Sequence, residues 1–322
     1  MAPPPKKLTI LITGCSPGGM GAALAIAFHR LGHHVFATAR NPSKLAPLTE
    51  QGIQTLALDI TSESSITAAV ATVSSSLKSL SLPGLNILIN NAATSYSMPL
   101  SDVSIPDAKN LFETNLWGHL SVTKAFLPLL LRSLSDTAPG EFPGAIIVNH
   151  TSVGSMAALP FQGIYNASKA ALAMMSETMR LELEGCFPGL RVIDLKTAGV
   201  KTNIIENNNV NSSSGSQAGG DILPKGSIYD PAREIVNRAM SQVDLKDGMK
   251  VTAEEWADEV VLLLLGRNPP SVIWKGESAF MARLAVGLPR FGNHGGGLFE
   301  GFLKKMTGLG EVERVIKESR AG

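Results

Sequence analysis

Ser152, Tyr165 and Lys169 are the residues whose types and spacing could do chemistry together. The Tyr lies thirteen residues after the Ser and the Lys four after the Tyr, within SVGSMAALPFQGIYNASK at 152–169. A Lys ammonium beside a phenol favours the phenolate, so Lys169 is expected to lower the pKa of Tyr165. The product is a general acid usable near neutral pH. Ser152 precedes a loop and could reach the same point to hold a substrate oxygen. A solvated helix face offers a Tyr and a Lys at this spacing too, so the elements around them decide.

Those elements can be read outward from the site. Pro160 and Gly163 break the chain between Ser and Tyr. From Tyr165 onward, Leu172, Met175, Met179 and Leu183 recur at helical spacing. Tyr165 and Lys169, at i and i+4, then share one helical face. Near the N-terminus, Leu8 to Ile12 fits a buried parallel strand. It runs into TGCSPGGMGAALAIAFHRLG, a glycine-rich turn that opens a helix. Gly14, Ser16, Gly19, Met20 and Gly21 are the candidate contacts there. Glycines let the backbone approach a pyrophosphate, and a helix N-terminus offers free N–H groups and a positive dipole end. His34 to Ala39 reads as the second strand, ending at Arg40. An acid near this strand end favours NAD and an Arg accommodates a 2′-phosphate. Thr38 and Ala39 stand where the acid would be, so Arg40 points to NADP(H), with Ser16 as a further partner of the same phosphate. A surface Arg without a ligand is the plainer alternative.

Further strands are expected at Gly52–Leu58, Asn86–Asn90, Ala145–Asn149, Leu190–Leu195 and 271–276, and helices at 62–80, 102–134 and 252–265. Asp59 or Thr61 would cap the first of those helices. Strands alternating with helices predict an α/β fold, a Rossmann-type doubly wound parallel seven-stranded sheet with helices on both faces.

In their order, these motifs resemble the short-chain dehydrogenase/reductase superfamily over residues 1–275. The glycine loop is similar to T-G-x-x-x-G-x-G, with Thr13, Gly14, Gly19 and Gly21 in the roles and one extra residue after Gly14. Asn90-Asn91-Ala92-Ala93 resembles N-N-A-G with Ala for the last Gly. Thr197-Ala198-Gly199-Val200-Lys201-Thr202 resembles P-G-x-V-x-T without its Pro-Gly pair, which puts the stiffness of that turn in question. The TGCSPGGMG loop, ATARN and IWKG look most like the fungal 1-acyldihydroxyacetone-phosphate reductase branch and its 17β-hydroxysteroid-dehydrogenase-like relatives. The resemblance implies a catalytic set of Asn115, Ser152, Tyr165 and Lys169. It further implies cofactor contacts at Asp59, Ile60, Asn91, Ala92, Ala93, Tyr165, Lys169, Thr197, Val200 and Thr202, and Asn115 as the anchor of a water chain. An Asn in a helix can equally be structural. The implied reaction is NADPH-dependent reduction of a ketone or aldehyde of a lipid-like or secondary-metabolite substrate. Oxidation of an alcohol in the reverse direction, and a non-catalytic NADP(H)-binding regulator, are the alternatives. A homo-oligomer, dimer or tetramer, through helices near 104–132 and 165–185 is also implied.

The remainder of the chain is less specific. Residues 206–250 are expected to form a substrate lid, rich in Asn, Ser and Gly at 206–230, with Ile222, Leu223, Ile228 and Tyr229 to pack. Residues 276–322 form a C-terminal extension, whose LFEGFLKKMTGL is amphipathic. It could touch a lipid surface, or wrap the substrate cleft. A formal net charge of +1 carries no footprint for nucleic acid. Cys15 and Cys186 are too few for a disulfide framework and suit a reducing compartment. No apolar run reaches the ~20 residues of a membrane span. The expected location is cytoplasmic, with peripheral contact to endoplasmic reticulum or lipid droplet as an extension of the lipid-surface reading. None of the six His residues has metal-ligand spacing, and His33-His34 reads as a strand edge.

Overall fold

The structure, a computed structural model of the 322-residue chain, describes residues 7–134, 144–202, 221–242, 249–287, 301, 304–305 and 307–321. Residues 206–220 and 243–248 of the expected lid and half of LFEGFLKKMTGL lie outside the described residues.

Seven short strands, β1 Thr9–Ile12, β2 His34–Ala39, β3 Gln54–Ala57, β4 Ile87–Asn90, β5 Ala145–His150, β6 Leu190–Thr197 and β7 Val272–Lys275, form one sheet. Its order is β3-β2-β1-β4-β5-β6-β7, and every neighbouring pair is parallel. The seven-stranded parallel sheet is as expected, with strand ends shifted by one or two residues. Parallel pairing needs a crossover between strands, which places helices on both faces. The strand order reverses between β1 and β4, the switch point where open α/β sheets form their crevice.

Alternation along each strand divides the core. Ile10 and Ile12 face α1 (Met20–Arg30), where they pack with Leu24, Phe28, Trp256 and Val260. Leu11, Leu88 and Ile147 face the other side, with Val73, Phe126 and Leu130. That side is covered by α3 (Glu63–Ser79), α5 (Gly118–Ser133) and α6 (Gly163–Glu184). A short helix, α2 (Ala46–Thr49), precedes β3.

Ser62, rather than Asp59 or Thr61, caps α3, accepting from the Ser65 N–H. Asp59 is spent locally: its Oδ1 accepts from Thr61 N and Oγ1 at 2.9 and 2.7 Å. The helix expected over 102–134 starts at Ile105 as α4 (Ile105–Phe112). A π-helical segment, Glu113–Trp117, then joins it to α5. Such segments shift the register of a helix and often mark functional sites; this one contains Asn115.

A third apolar cluster lies beyond the sheet. Met98, Phe161, Leu223, Ala232, Val236, Met240 and Val312 are buried together, with Tyr96 and Tyr229 packed on them. It joins the loop after β4, the segment before α6, α7 (Arg233–Ser241) and α10 (Leu309–Ala321). Two readings change here. Ile228 does not pack but is 61% exposed. Helices α7 and α10 form where the sequence reading placed lid loop and tail. Between them, α8 (Ala253–Leu264) starts with a capping box of Thr252 and Glu255. The α9 helix (Ala279–Gly287) leaves Phe280 and Met281 exposed.

Candidate active site

In-register parallel pairing brings the strand ends level. Asn90 lies beside Asn149, and Ile12 beside Ile89 and Ala37. The residues that follow, Thr13, Asn91 and Ser152, therefore emerge along one edge of the sheet.

The glycine loop and the Asn91-Ala92 segment form a single unit. Asn91 Nδ2 donates to the carbonyls of Thr13 and Gly14 at 2.8 and 3.1 Å. Thr13 Oγ1 accepts from the N–H groups of Asn91 and Ala92 at 2.9 and 3.0 Å. Gly14 has φ +73°, and a Cβ there would lie 2.7 Å from Ala92 Cα. A Cβ on Gly21 would meet Asn91 Nδ2 and the Gly14 carbonyl, each at 2.5 Å. These two glycines are required by backbone packing. Gly19 differs: a Cβ there would meet only the Ser16 carbonyl, at 3.1 Å. Gly19 is the N-cap of α1 and supplies no side-chain cap, so the first N–H groups of α1 have no side-chain acceptor from it. The extra loop residue is absorbed by a turn in which Gly19 N–H donates to Ser16 O. An open, uncapped helix end between small residues fits a pyrophosphate. Arg40 follows β2, exposed and without a partner among the described residues. No acid stands at that strand end, since Thr38 and Ala39 are buried there. Asp59 and Ile60 follow β3, and Ile60 packs against the Gly118 backbone.

At the end of β5, Ser152 is buried and its Oγ accepts from Gly154 N–H at 3.1 Å. The phenol of Tyr165 lies near enough to this hydroxyl for Ser152 to favour its phenolate form. Helix α6 carries Tyr165 and Lys169 on one face, with Lys169 Nζ 5.9 Å from the Tyr165 ring centroid. Nζ donates to the His150 carbonyl at 2.7 Å. The expected electrostatic effect is overturned. Burial is the largest influence on Tyr165 and raises its pKa, opposed by the nearby Ser152 hydroxyl. Lys169 is itself buried, which pushes its own pKa down to about 8, against the charge of Asp194. Desolvation of both groups outweighs their proximity.

Asn115 is completely buried, and its side chain is fully engaged. Oδ1 accepts from Thr94 N–H at 2.9 Å, while Nδ2 donates to Thr94 O at 2.8 Å and Ser168 Oγ at 3.2 Å. Ser168 Oγ in turn donates to the Tyr165 carbonyl. Asn115 thus braces α6 against the loop after β4.

The turn after β6 is held without a Pro. Ala198 N–H donates to Lys275 O, Gly199 and Glu277 exchange backbone bonds, and Lys201 N–H donates to Val251 O. Thr197, Val200 and Thr202 are all buried in it.

Sequence reading missed two buried histidines. His119 Nε2 lies 2.6 Å from the Ala92 carbonyl, and burial pushes its pKa down to about 3. His150 contacts Asn91 and Thr197 through its two ring nitrogens. His119 lies within a segment read as helix and His150 just past one read as a strand, and a His among apolar neighbours carries no periodic signal. Cys15 is completely buried, which pushes its thiol up to about 12, so it fills space rather than reacts. Among the described residues, no three His, Cys, Asp or Glu side chains form a metal-binding group. No described helix is long and apolar enough to cross a membrane.

Residues 8–213 match the family described as short chain dehydrogenase. A short-chain dehydrogenase/reductase of Pestalotiopsis microspora is 43% identical over 311 residues, covering 97% of this chain and 98% of that protein. The NADPH-dependent 1-acyldihydroxyacetone phosphate reductase of Schizosaccharomyces pombe is 35% identical over 290 residues, covering 87% and 89%. The crystal structure of a short-chain dehydrogenase from Streptomyces avermitilis superposes with a TM-score of 0.67 at 21% identity, covering 96% of this chain and 98% of that one, a likeness of fold. With the glycine loop, the Ser-Tyr-Lys set and the sheet order in place, these matches mean that the chain belongs to the short-chain dehydrogenase/reductase family.

Proposed function

We propose that the protein is an NADPH-dependent carbonyl reductase acting on a largely apolar ketone or aldehyde, of lipid-like or secondary-metabolite character. The observation that carries this reading is the meeting of Ser152, Tyr165 and Lys169 at the strand ends beside an uncapped, glycine-lined helix N-terminus. The 35% identity to a fungal reductase named as NADPH-dependent supports the choice of cofactor, as does Arg40 in place of an acid after β2.

The cofactor's phosphates would lie beside Gly19 on the N–H groups of Met20 and Gly21, with Arg40 and Ser16 at the 2′-phosphate. Asp59, Ile60 and Asn91 to Ala93 would flank the adenosine, and Thr197, Val200 and Thr202 the nicotinamide. When bound, NADPH supplies the hydride. Ser152 holds the carbonyl oxygen with its hydroxyl, next to the phenol. Tyr165, kept protonated by burial, passes its proton to that oxygen as negative charge develops on it. Lys169 holds positive charge behind Tyr165 to offset the phenolate left behind. Asn115 keeps α6, and with it the Tyr165 backbone, at a fixed distance from the loop after β4. The cluster of Met98, Phe161, Leu223 and Val236, with Tyr229 over it, supports an apolar substrate.

The test is NADPH consumption by the purified protein over ketones of increasing acyl-chain length, with and without a phosphate headgroup. Turnover that rises with chain length is expected. A protein that binds NADPH yet consumes it with no ketone in the series would overturn the reductase reading.

A further inference from the structure

His150 lies at the centre of the site and has no assigned role. It is the last residue of β5, 4% exposed, two residues before Ser152. Three arms leave it. Its carbonyl accepts from Lys169 Nζ at 2.7 Å. Its Nδ1 is 2.9 Å from Asn91 Oδ1 and its Nε2 is 2.7 Å from Thr197 Oγ1. The ring stacks on Trp256 of α8, with centroids 5.3 Å apart and planes 15° from parallel.

The partners fix the tautomer. Asn91 Nδ2 is spent on the carbonyls of Thr13 and Gly14, so the atom facing His150 is Oδ1, which can only accept. His150 Nδ1 therefore carries the proton. Nε2 keeps its lone pair, and Thr197 donates its hydroxyl proton to it. Burial and the nearby charge of Lys169 hold the pKa of His150 well below the usual 6.5, so the ring stays neutral and both bonds persist.

One end of this chain is the unit of glycine loop and Asn91; the other is the turn carrying Thr197. They stand at the ends of strands β4 and β6, with β5 between them. An apolar residue at position 150 would fill the space but leave Asn91 Oδ1 and the Thr197 hydroxyl without these partners.

We propose that His150 is a positioning residue that ties the adenosine-side loop to the nicotinamide-side turn and seats Lys169 between them, so that both ends of a dinucleotide meet a single pre-set cleft. This rests on the NADP(H) reading of the cleft. In this arrangement Asn91 bears on the adenosine half of the ligand, and Thr197 on the nicotinamide half alone.

The experiment is calorimetric titration of NADPH and of 2′,5′-ADP, which lacks the nicotinamide half, into wild type, His150→Phe, Thr197→Val and the double variant, with melting temperatures in parallel. Phe keeps the ring that stacks on Trp256 and removes both side-chain bonds. His150→Phe is expected to weaken NADPH about tenfold or more and 2′,5′-ADP less. Thr197→Val is expected to weaken NADPH several-fold and leave 2′,5′-ADP unchanged. The double variant should be no weaker than His150→Phe, because both remove the same bond. His150→Asn, whose carboxamide can still donate toward Asn91, should restore 2′,5′-ADP but not NADPH. The proposal falls if folded His150→Phe binds NADPH as wild type does, or if the two single penalties add in full. Should His150→Phe not fold, Thr197→Val decides alone: unchanged NADPH affinity, or equal loss of both ligands, overturns the proposal. A wild type that binds neither ligand would instead remove the NADP(H) reading itself, a result distinct from wild-type binding with indifferent variants.

Discussion

The two sides of the cleft are built by different physics. On the cofactor side, Thr13, Gly14, Asn91, His150 and Thr197 are joined by directed hydrogen bonds of 2.7–3.1 Å and by backbones too close for a Cβ. On the side we propose for the substrate, the side chains of Met98, Phe161, Leu223, Val236 and Val312 meet by apolar contact. Directed bonds and close approach dictate residue identity, because a lost partner leaves a buried polar group unpaired. Apolar contact dictates little more than volume, so it tolerates substitution. The cofactor side is therefore suited to one ligand, and the substrate side can be reshaped without disturbing it.

Tyr165→Phe tests where the two sides meet and should have the largest effect. Loss of the phenolic proton is expected to lower kcat by about 10²–10⁴-fold, with NADPH affinity unchanged in a parallel titration. Residual turnover near wild type would remove Tyr165 from the chemistry. Arg40→Asp strikes the cofactor side alone. Arg40 is exposed and has no partner among the described residues, so the variant's melting temperature should hold. Losing a charged hydrogen bond to phosphate should weaken NADPH by about 10–100-fold and leave NADH little changed. A matched loss of both cofactors would show that Arg40 does not read the 2′-phosphate.

The Lys169 ammonium links the sides and sets a pH signature. Its folded value of about 8 lies below its ordinary 10.5. Above pH about 8 the folded protein loses the positive charge behind Tyr165, so kcat/KM should fall by about tenfold per pH unit. Between pH 8 and 10.5 the unfolded chain holds the extra proton, so this group's contribution to stability rises with pH over the same interval. Activity and melting temperature should move in opposite directions there, relative to Lys169→Met. Parallel movement would assign the activity loss to unfolding. The smallest effect is expected from Val312→Ala on the substrate side. Removing two buried methyl groups should cost about 2 kcal/mol in that cluster. It should raise KM for long-chain substrates a few-fold with NADPH affinity unchanged. A shift in NADPH affinity would break the separation of the two sides.

Much of the cofactor side is legible in the chain because its motifs are local. Gly14, Gly19 and Gly21 sit within one turn, and Tyr165 and Lys169 within one turn of helix, so spacing alone brings them together. The bond between Asn91 and the glycine loop spans 77 residues and His150 to Thr197 spans 47. No spacing rule reaches that far. Asn115 shows the same limit, since its place in a helix was readable but its bonds to Thr94 and Ser168 were not. The third cluster was legible only in part: Leu223 was expected to pack and is buried, Ile228, equally apolar, is left exposed, and Val312 lies beyond the apolar segments read in the tail.

The strand-and-helix alternation, the glycine turn and the Ser-Tyr-Lys spacing were determined by the sequence itself, because each depends on neighbours within a few residues. The desolvation that raises Tyr165 and lowers Lys169, the neutral tautomer of His150 and the joining of α7 to α10 were decided only by the tertiary structure. Burial and long-range pairing are properties of the packed chain, and they set how strongly each group holds its proton.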